Sequence, residues 1–290
     1  MSESALGPAG FIGLGQIGAG LAANLHAWPD GLVVCDVVEA ATAPFAEKGA
    51  TVAATPADVA RAGAGFISVM VLDGAQVRDV VLGDVGIVHG AAPGTIVAVH
   101  STIEADTAVE VAAQAAEHGV AVLDAPVTGG FAAAYEGRIA FMVGGEPDAV
   151  ARARPVLELM SELIVETGPV GSATQLKVAR NLLTWVGFAA AREAEELVLR
   201  AGLRVADLAA VTRHSDMLTG GISAIMLRES TEALPADDGL RSIMEHTRGL
   251  GEKDLQLAVD LAETLGVDAP FSAMALERLA DALGVPHDAE

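Results

Sequence analysis

Through the first half of the chain, short apolar runs alternate with longer helical patterns. Ala9–Leu14, Leu32–Asp36, Gly65–Val71, Thr95–Val99, Val120–Leu123, Ile139–Val143 and Leu163–Glu166 read as strands. Ile17–Ala27, Val109–His118 and Asp148–Leu159 read as helices between them. Strands that are apolar throughout, rather than at every second position, are covered on both faces, so this alternation predicts a mainly parallel sheet flanked by helices. After Gly168-Pro169 the pattern changes. Ser172–Ala201 runs thirty residues without proline and with one interior glycine, Gly187, and the remainder is helical in pattern, broken at Gly220-Gly221, Pro235 and Pro270. The expectation is an α/β chain of two domains. Residues 1–168 form the sheet domain, residues 169–290 an all-helical domain opening with one long inter-domain helix, and a ligand cleft lies between them.

Composition narrows the class. An apolar fraction of 52% and a mean hydropathy of +0.45 supply a substantial core, and with aromatics at 3% that core is built from Ala, Val, Leu and Ile. The uncharged stretch from Ala5 to Pro29 is long enough to test as a membrane span, but it carries six glycines and two prolines. The opening Met1-Ser2-Glu3-Ser4 lacks the basic segment of a secretory signal. Seventeen basic against thirty-nine acidic residues leave a charge of -22, which repels nucleic acid and anionic membrane surfaces. Cys35 is the single cysteine and no two histidines stand at metal-ligand spacing, so neither a disulfide nor a metal is expected. A cytoplasmic protein is the expectation.

Candidate chemistry begins at the first turn. The strand Ala9–Leu14 runs into Gly13-Leu14-Gly15-Gln16-Ile17-Gly18, a G-x-G-x-x-G turn between a strand and a helix. Gly13 makes the tight turn, Gly15 lets the backbone approach a pyrophosphate, and Gly18 lets helix and strand pack closely. The helix N-terminus then offers free N–H groups to the phosphates. Asp36 ends the second strand eighteen residues after Gly18, where a carboxylate can accept both ribose hydroxyls of NAD. It would repel the 2′-phosphate of NADP, and Val37-Val38-Glu39 offers no cation to offset that. The reading is a Rossmann-type domain that prefers NAD to NADP. Met70, near the end of Gly65–Val71, is counted with the cofactor-binding residues.

Only three basic residues are lysines: Lys48, Lys177 and Lys253. Lysine, unlike arginine, loses its proton when desolvated or placed beside another cation. Lys177 sits early on the long helix, and Asn181, four residues on, shares its face. Such a pair suits hydride transfer coupled to proton transfer. A surface Lys–Asn pair has the same spacing, so spacing alone leaves both readings open. His100 is read as structural, and Trp185 and Phe188 as core packing.

Four blocks in order carry a resemblance over nearly the whole chain. They are Phe11–Gly18 with Ala22 and Asn24-Leu25; Asp124–Gly130 continuing to Gly137 and Met142–Gly145; Gly168–Gly171 leading to Lys177 and Asn181; and Lys253-Asp254-Leu255. Ser101-Thr102-Ile103 adds a shorter match. The chain resembles the β-hydroxyacid dehydrogenase family, which includes 3-hydroxyisobutyrate dehydrogenase and tartronate semialdehyde reductase. The resemblance implies that Lys177 is the acid/base and that Asn181 holds the substrate. It implies that Thr128, Gly129 and Gly130 bind a carboxylate, that Thr102 touches the nicotinamide end, and that Lys253 reaches the cofactor. Asp254 is read as a surface partner of a neighbouring cation.

Three departures bear on substrate choice. Thr128 stands where the family more often has serine, Ala132-Ala133 replace a glycine-bearing stretch, and Arg180 stands where asparagine is expected. Arg180 either adds a second cation for a larger or dianionic substrate, lowering the Lys177 pKa, or faces outward to a glutamate. The expected function is an NAD-dependent oxidoreductase acting on a small anionic 3-hydroxy acid or its semialdehyde, working as a homodimer or homotetramer. The alternatives are an imine reductase-like NAD(P)H enzyme and a non-catalytic dinucleotide-binding scaffold or sensor. Lysine at 177 speaks against the first, and intact Lys177 and Asn181 against the second.

Overall fold

The computed structural model describes residues 6–228 and 230–287. The chain divides into two compact units, Met1–Asn181 and Leu182–Glu290.

The first unit is an α/β sheet structure. Its strands are β1 (Ala9–Ile12), β2 (Leu32–Cys35), β3 (Thr51–Val52), β4 (Phe66–Val69), β5 (Ile96–Val99), β6 (Ala121–Asp124), β7 (Val127–Thr128), β8 (Ile139–Gly144) and β9 (Ser161–Gly168). Its helices are α1 (Gln16–Asn24), α2 (Glu39–Ala46), α3 (Pro56–Arg61), α4 (Gly74–Leu82), α5 (Ala105–Ala116), α6 (Gly130–Tyr135) and α7 (Pro147–Leu157). The long helix α8 (Ser172–Arg200) begins in this unit and ends in the second.

Strand order is β3-β2-β1-β4-β5-β6-β8-β7, with β9 on the other side of β8. β1 to β6 pair in parallel, in register from Ala9↔Leu32 and Ala9↔Phe66 outward. β8 is antiparallel to β6 and β7 and parallel to β9. The order reverses at β1, which puts a crevice at the carboxyl ends of β1 and β4, where ligands of open α/β sheets sit. Each central strand is buried along its whole length, because successive side chains feed opposite cores. Phe11, Phe66, Ile96 and Phe141 join one cluster, and Ile12, Val69, Val97 and Val99 the other.

The strands end one or two residues short of the apolar runs at several points, since Gly13, Met70 and Val71 leave the sheet to form loops. The first helical pattern stops at Asn24 and finishes as a 3₁₀ turn over Leu25–Ala27. Two-residue strands such as β7 carry too few residues to show a period. The expected domain boundary at Gly168 is the end of β9; the compact unit runs on for three turns of α8 because Ala173, Thr174 and Lys177 are buried.

The second unit is helical: the rest of α8, then α9 (Val205–Thr219), α10 (Arg241–Leu265) and α11 (Pro270–Ala282). The expected break at Pro270 separates α10 from α11, and Pro270 itself takes the first position of α11, where the missing N–H has no partner to lose. Glu193 on α8 is buried, and its carboxylate accepts from Phe271 N (2.6 Å), Ser272 N (3.0 Å) and Ser272 Oγ (2.9 Å), capping α11. Trp185 and Phe188, expected as core, are 65% and 66% exposed and stack on each other at 5.8 Å. An apolar helix face carries the same periodicity whether its own chain or another surface covers it. Among the described residues no helix is long and apolar enough to cross a membrane.

His100 ties the centre of the sheet. It is fully buried, with Nδ1 at 2.9 Å from the Ala125 carbonyl and Nε2 at 2.9 Å from Ser68 Oγ, between the rings of Phe11 and Phe141. Burial pushes its pKa down to about 4, against an ordinary 6.5. The unfolded chain therefore takes up a proton between pH 6.5 and 4 that the folded chain refuses. Stability from this group is whole above pH 6.5 and falls by up to about 3 kcal/mol as the pH drops to 4. Thermal melts should show a steeper loss between pH 6.5 and 4.5 in the native chain than in His100→Gln. Parallel curves would contradict a buried neutral histidine.

Candidate functional site

The turn after β1 is shaped by backbone contacts that leave no room for side chains. At Gly13 (φ +93°) a Cβ would lie 2.1 Å from the Met70 carbonyl oxygen; at Gly18 it would lie 2.0 Å from that of Gly13. Both contacts are with backbone, which cannot move aside. Gly15 differs: nothing lies within 4 Å of its Cβ position, so the space over the N-terminus of α1 is open. The first N–H groups of α1 point into that space with the positive end of the helix dipole. A pyrophosphate fits this cradle, and the chain's own atoms build it.

Next to it a cavity of about 550 Å³ is lined by Gly13, Gly15, Asp36, Thr55, Met70 and Gln76, among others. Gly13, Gly15, Asp36 and Met70, assigned to the cofactor from sequence, thus line the same cavity. Asp36 is held rigidly: one oxygen accepts from Leu14 N at 2.5 Å and the other from Val38 N at 2.7 Å. Two backbone donors fix the carboxylate at the cavity and leave lone pairs for a ligand hydroxyl. Leu14 is buried, Ile17 half-buried and Gln16 exposed. Sequence reasoning missed Thr55, Gln76, Asp79 and Val80, which line the same cavity from the start of α3 and from α4 and carry no motif. Cys35 also lines the cavity; burial, with Asp36 and Asp58 nearby, pushes its thiol up to about 11, so it stays protonated.

Ser101 organises the next loops. Its hydroxyl accepts from Val71 N (3.0 Å) and donates to the Val71 carbonyl (2.7 Å), tying the end of β4 to the turn after β5 that carries exposed Thr102. Asn24 cross-links α1 to α6, donating to the carbonyls of Gly20 and Ala134, each at 2.8 Å. α6 follows directly on Thr128 and Gly129, with Gly130 as its first residue. Gly129 and Gly130 take φ values of +138° and +81°, and both are exposed.

Lys177 lies in the second turn of α8 and is only 8% exposed. No carboxylate pairs with it among the described residues. Desolvation lowers its pKa below the usual 10.5, and the charge of Arg180, three residues on, lowers it further. Asn181 is half-buried at the end of this unit. Lys253 belongs to the second unit, is exposed on α10 and pairs with Asp254 at 2.9 Å, as read for Asp254. Among the described residues no group of His, Cys, Asp and Glu could hold a metal.

A sheet of this order with a glycine cradle at its switch point defines a dinucleotide-binding domain. Residues 8–171 match the model of the NAD binding domain of 6-phosphogluconate dehydrogenase. An uncharacterized oxidoreductase of Mycobacterium tuberculosis is 49% identical over 278 residues, covering 96% of this chain and 94% of that protein. From Pseudomonas aeruginosa, a 3-hydroxyisobutyrate dehydrogenase is 34% identical (91% and 88% covered) and an NAD-dependent L-serine dehydrogenase 36% identical (92% and 89%). The crystal structure of a Mycobacterium avium 104 oxidoreductase superposes with a TM-score of 0.91 at 45% identity, covering 96% of this chain and 99% of that one. The chain belongs to this family of dehydrogenases, those of the 3-hydroxyisobutyrate type, and is an oxidoreductase with an NAD(P)-binding domain.

The two glycines separate fold from ligand binding. Gly15→Ala should fold with an unchanged Tm and bind dinucleotide at least about tenfold more weakly, since its Cβ meets only the ligand's space. Gly18→Ala should lower Tm itself. Equal behaviour of the two variants would contradict this division.

Proposed function

We propose that the chain is an NAD-dependent dehydrogenase of small 3-hydroxy acids, with Lys177 as the general acid/base. The observation that carries this is the buried lysine, 8% exposed, its pKa lowered, with a cation rather than a carboxylate as its charged neighbour. A lysine placed for stability would have an acidic partner. One placed to exchange a proton needs a pKa closer to the working pH.

The bound nicotinamide supplies the hydride acceptor in oxidation and the donor in reduction. In oxidation, neutral Lys177 takes the hydroxyl proton as the carbinol C–H electron pair departs, leaving a carbonyl and a protonated amine. In reduction, the protonated amine returns that proton to the carbonyl oxygen. Asn181, one helical turn from Lys177, orients the oxygen. The hydroxyl of Thr128 and the N–H groups at Gly129-Gly130 receive the substrate carboxylate, since a glycine pair lets an anion approach the backbone. The family resemblance assigns Thr102 to the nicotinamide end and Lys253 to the cofactor.

NAD is preferred over NADP because Asp36, pinned by Leu14 and Val38, presents negative charge where a 2′-phosphate would fall. Arg180 adds a second positive charge for a small anionic substrate. The chain works as a homodimer or homotetramer, a reading supported by apolar side chains left exposed on α8 and α9, among them Trp185, Phe188, Val211 and Met217.

Lys177→Ala should lower kcat for NAD-linked oxidation of 3-hydroxyisobutyrate or L-serine by about 10²–10⁴-fold, with dinucleotide affinity unchanged. Retained turnover would overturn the assignment. Oxidation should rise with pH through the Lys177 pKa and reduction fall through it, with a midpoint below 10.5. In Arg180→Ala that midpoint should move upward, because the neighbouring cation is gone, and turnover of dicarboxylates should suffer more than that of monocarboxylates. An equal effect on both substrate classes would remove Arg180 from substrate binding.

A further inference from the structure

Asp124 is a buried carboxylate to which the proposed chemistry gives no part. It ends β6 with 1% of its surface exposed. Its Oδ2 accepts from Thr174 N at 2.8 Å, while Oδ1 has no hydrogen-bond partner among the described residues. Thr174 is in the first turn of α8, where N–H groups have no carbonyl a turn earlier to bond. The neighbouring donors are met locally: Ser172 N by the Pro169 carbonyl at 3.1 Å and Gln175 N by that of Gly171 at 3.0 Å. The Thr174 N–H is thus satisfied by a carboxyl oxygen from the end of β6.

The surroundings are built to admit this carboxylate. A Cβ on Gly144 would stand 2.4 Å from Asp124 Oδ1 and 2.7 Å from the Pro169 carbonyl oxygen, so β8 passes here only with glycine. On the other side, Ser172 Oγ donates to the Pro169 carbonyl at 2.6 Å and meets Thr167 Oγ1 at 2.7 Å, fixing the entry into α8. Lys177 is three residues beyond Thr174, hence on the same face of the helix. Asp124 also leads directly, through Ala125-Pro126-Val127, to Thr128-Gly129-Gly130.

We propose that Asp124 is the positioning residue for Lys177, holding the first turn of α8, and so the lysine, in register with the glycine turn that follows β6. This rests on the reading of Lys177 as the acid/base. A side chain that fixes the helix start fixes the depth at which the amine sits, and a shift of about 1 Å in a reacting group is enough to lower a rate by about 10²-fold.

The test uses the full chain with Asp124→Ala and Asp124→Asn. Three quantities are measured: amide exchange at Thr174, kcat with NAD and 3-hydroxyisobutyrate, and the pH midpoint of kcat. In Asp124→Ala the Thr174 amide should exchange at least about tenfold faster, kcat should fall at least about tenfold, and the midpoint should shift, with the KM for NAD unchanged. Asp124→Asn keeps an acceptor oxygen and should hold all three near native values. If the alanine chain does not fold, Thr174→Pro, which removes the donated N–H within the first turn of α8, where proline is tolerated, and leaves the carboxylate in place, should give the same fall in kcat and the same shift of midpoint. Unchanged Thr174 exchange in Asp124→Ala, an unchanged kcat and midpoint, or equal damage in alanine and asparagine would each overturn the proposal. Failure of the lysine reading appears separately, as an active Lys177→Ala enzyme with the Thr174 response intact.

Discussion

Desolvation of a single ammonium group, that of Lys177, is the constraint on which the proposed chemistry turns. A charge taken out of water without an opposite charge beside it is disfavoured, and the group responds by giving up its proton more readily. Here the neighbouring charge is Arg180, which pushes in the same direction. The lysine is buried because α8 starts inside the core, with Ala173 and Thr174 buried beside it.

The same physical device appears twice in the chain. Helix ends expose N–H groups that must be met, and two buried carboxylates meet them from distant elements: Asp124 for α8, and Glu193 for α11. Each sets where a long helix begins. The nucleotide cradle uses the opposite device, the removal of side chains, so that carbonyls at Met70 and Gly13 can lie where a Cβ would otherwise be. On the proposed function, affinity for the dinucleotide comes from backbone geometry and the preference for NAD from one pinned carboxylate, Asp36.

Much of this was legible in the sequence. The apolar strands from β1 to β6, the glycine turn and Asp36 are local signals, set by burial on both faces and by the steric demands of one turn. Less legible were features that arise only when distant segments meet. Nothing in the residues around Asp124 announces that its carboxylate caps a helix fifty positions later. Thr55, Gln76 and Asp79 line the cavity because α3 and α4 begin beside it, not because of any pattern of their own. Trp185 and Phe188 show the limit from the other side. Their spacing predicts a buried face, and periodicity does not say which surface covers it.

The most direct test of the central claim is titration of the lysine amines themselves. With Lys48, Lys177 and Lys253 the only lysines, ¹³Cε-lysine NMR across pH gives three curves, assigned by single replacements. Lys177 should titrate below 10.5, and should move upward in Arg180→Ala. A Lys177 curve centred at or above 10.5 and unmoved by that substitution would contradict the account.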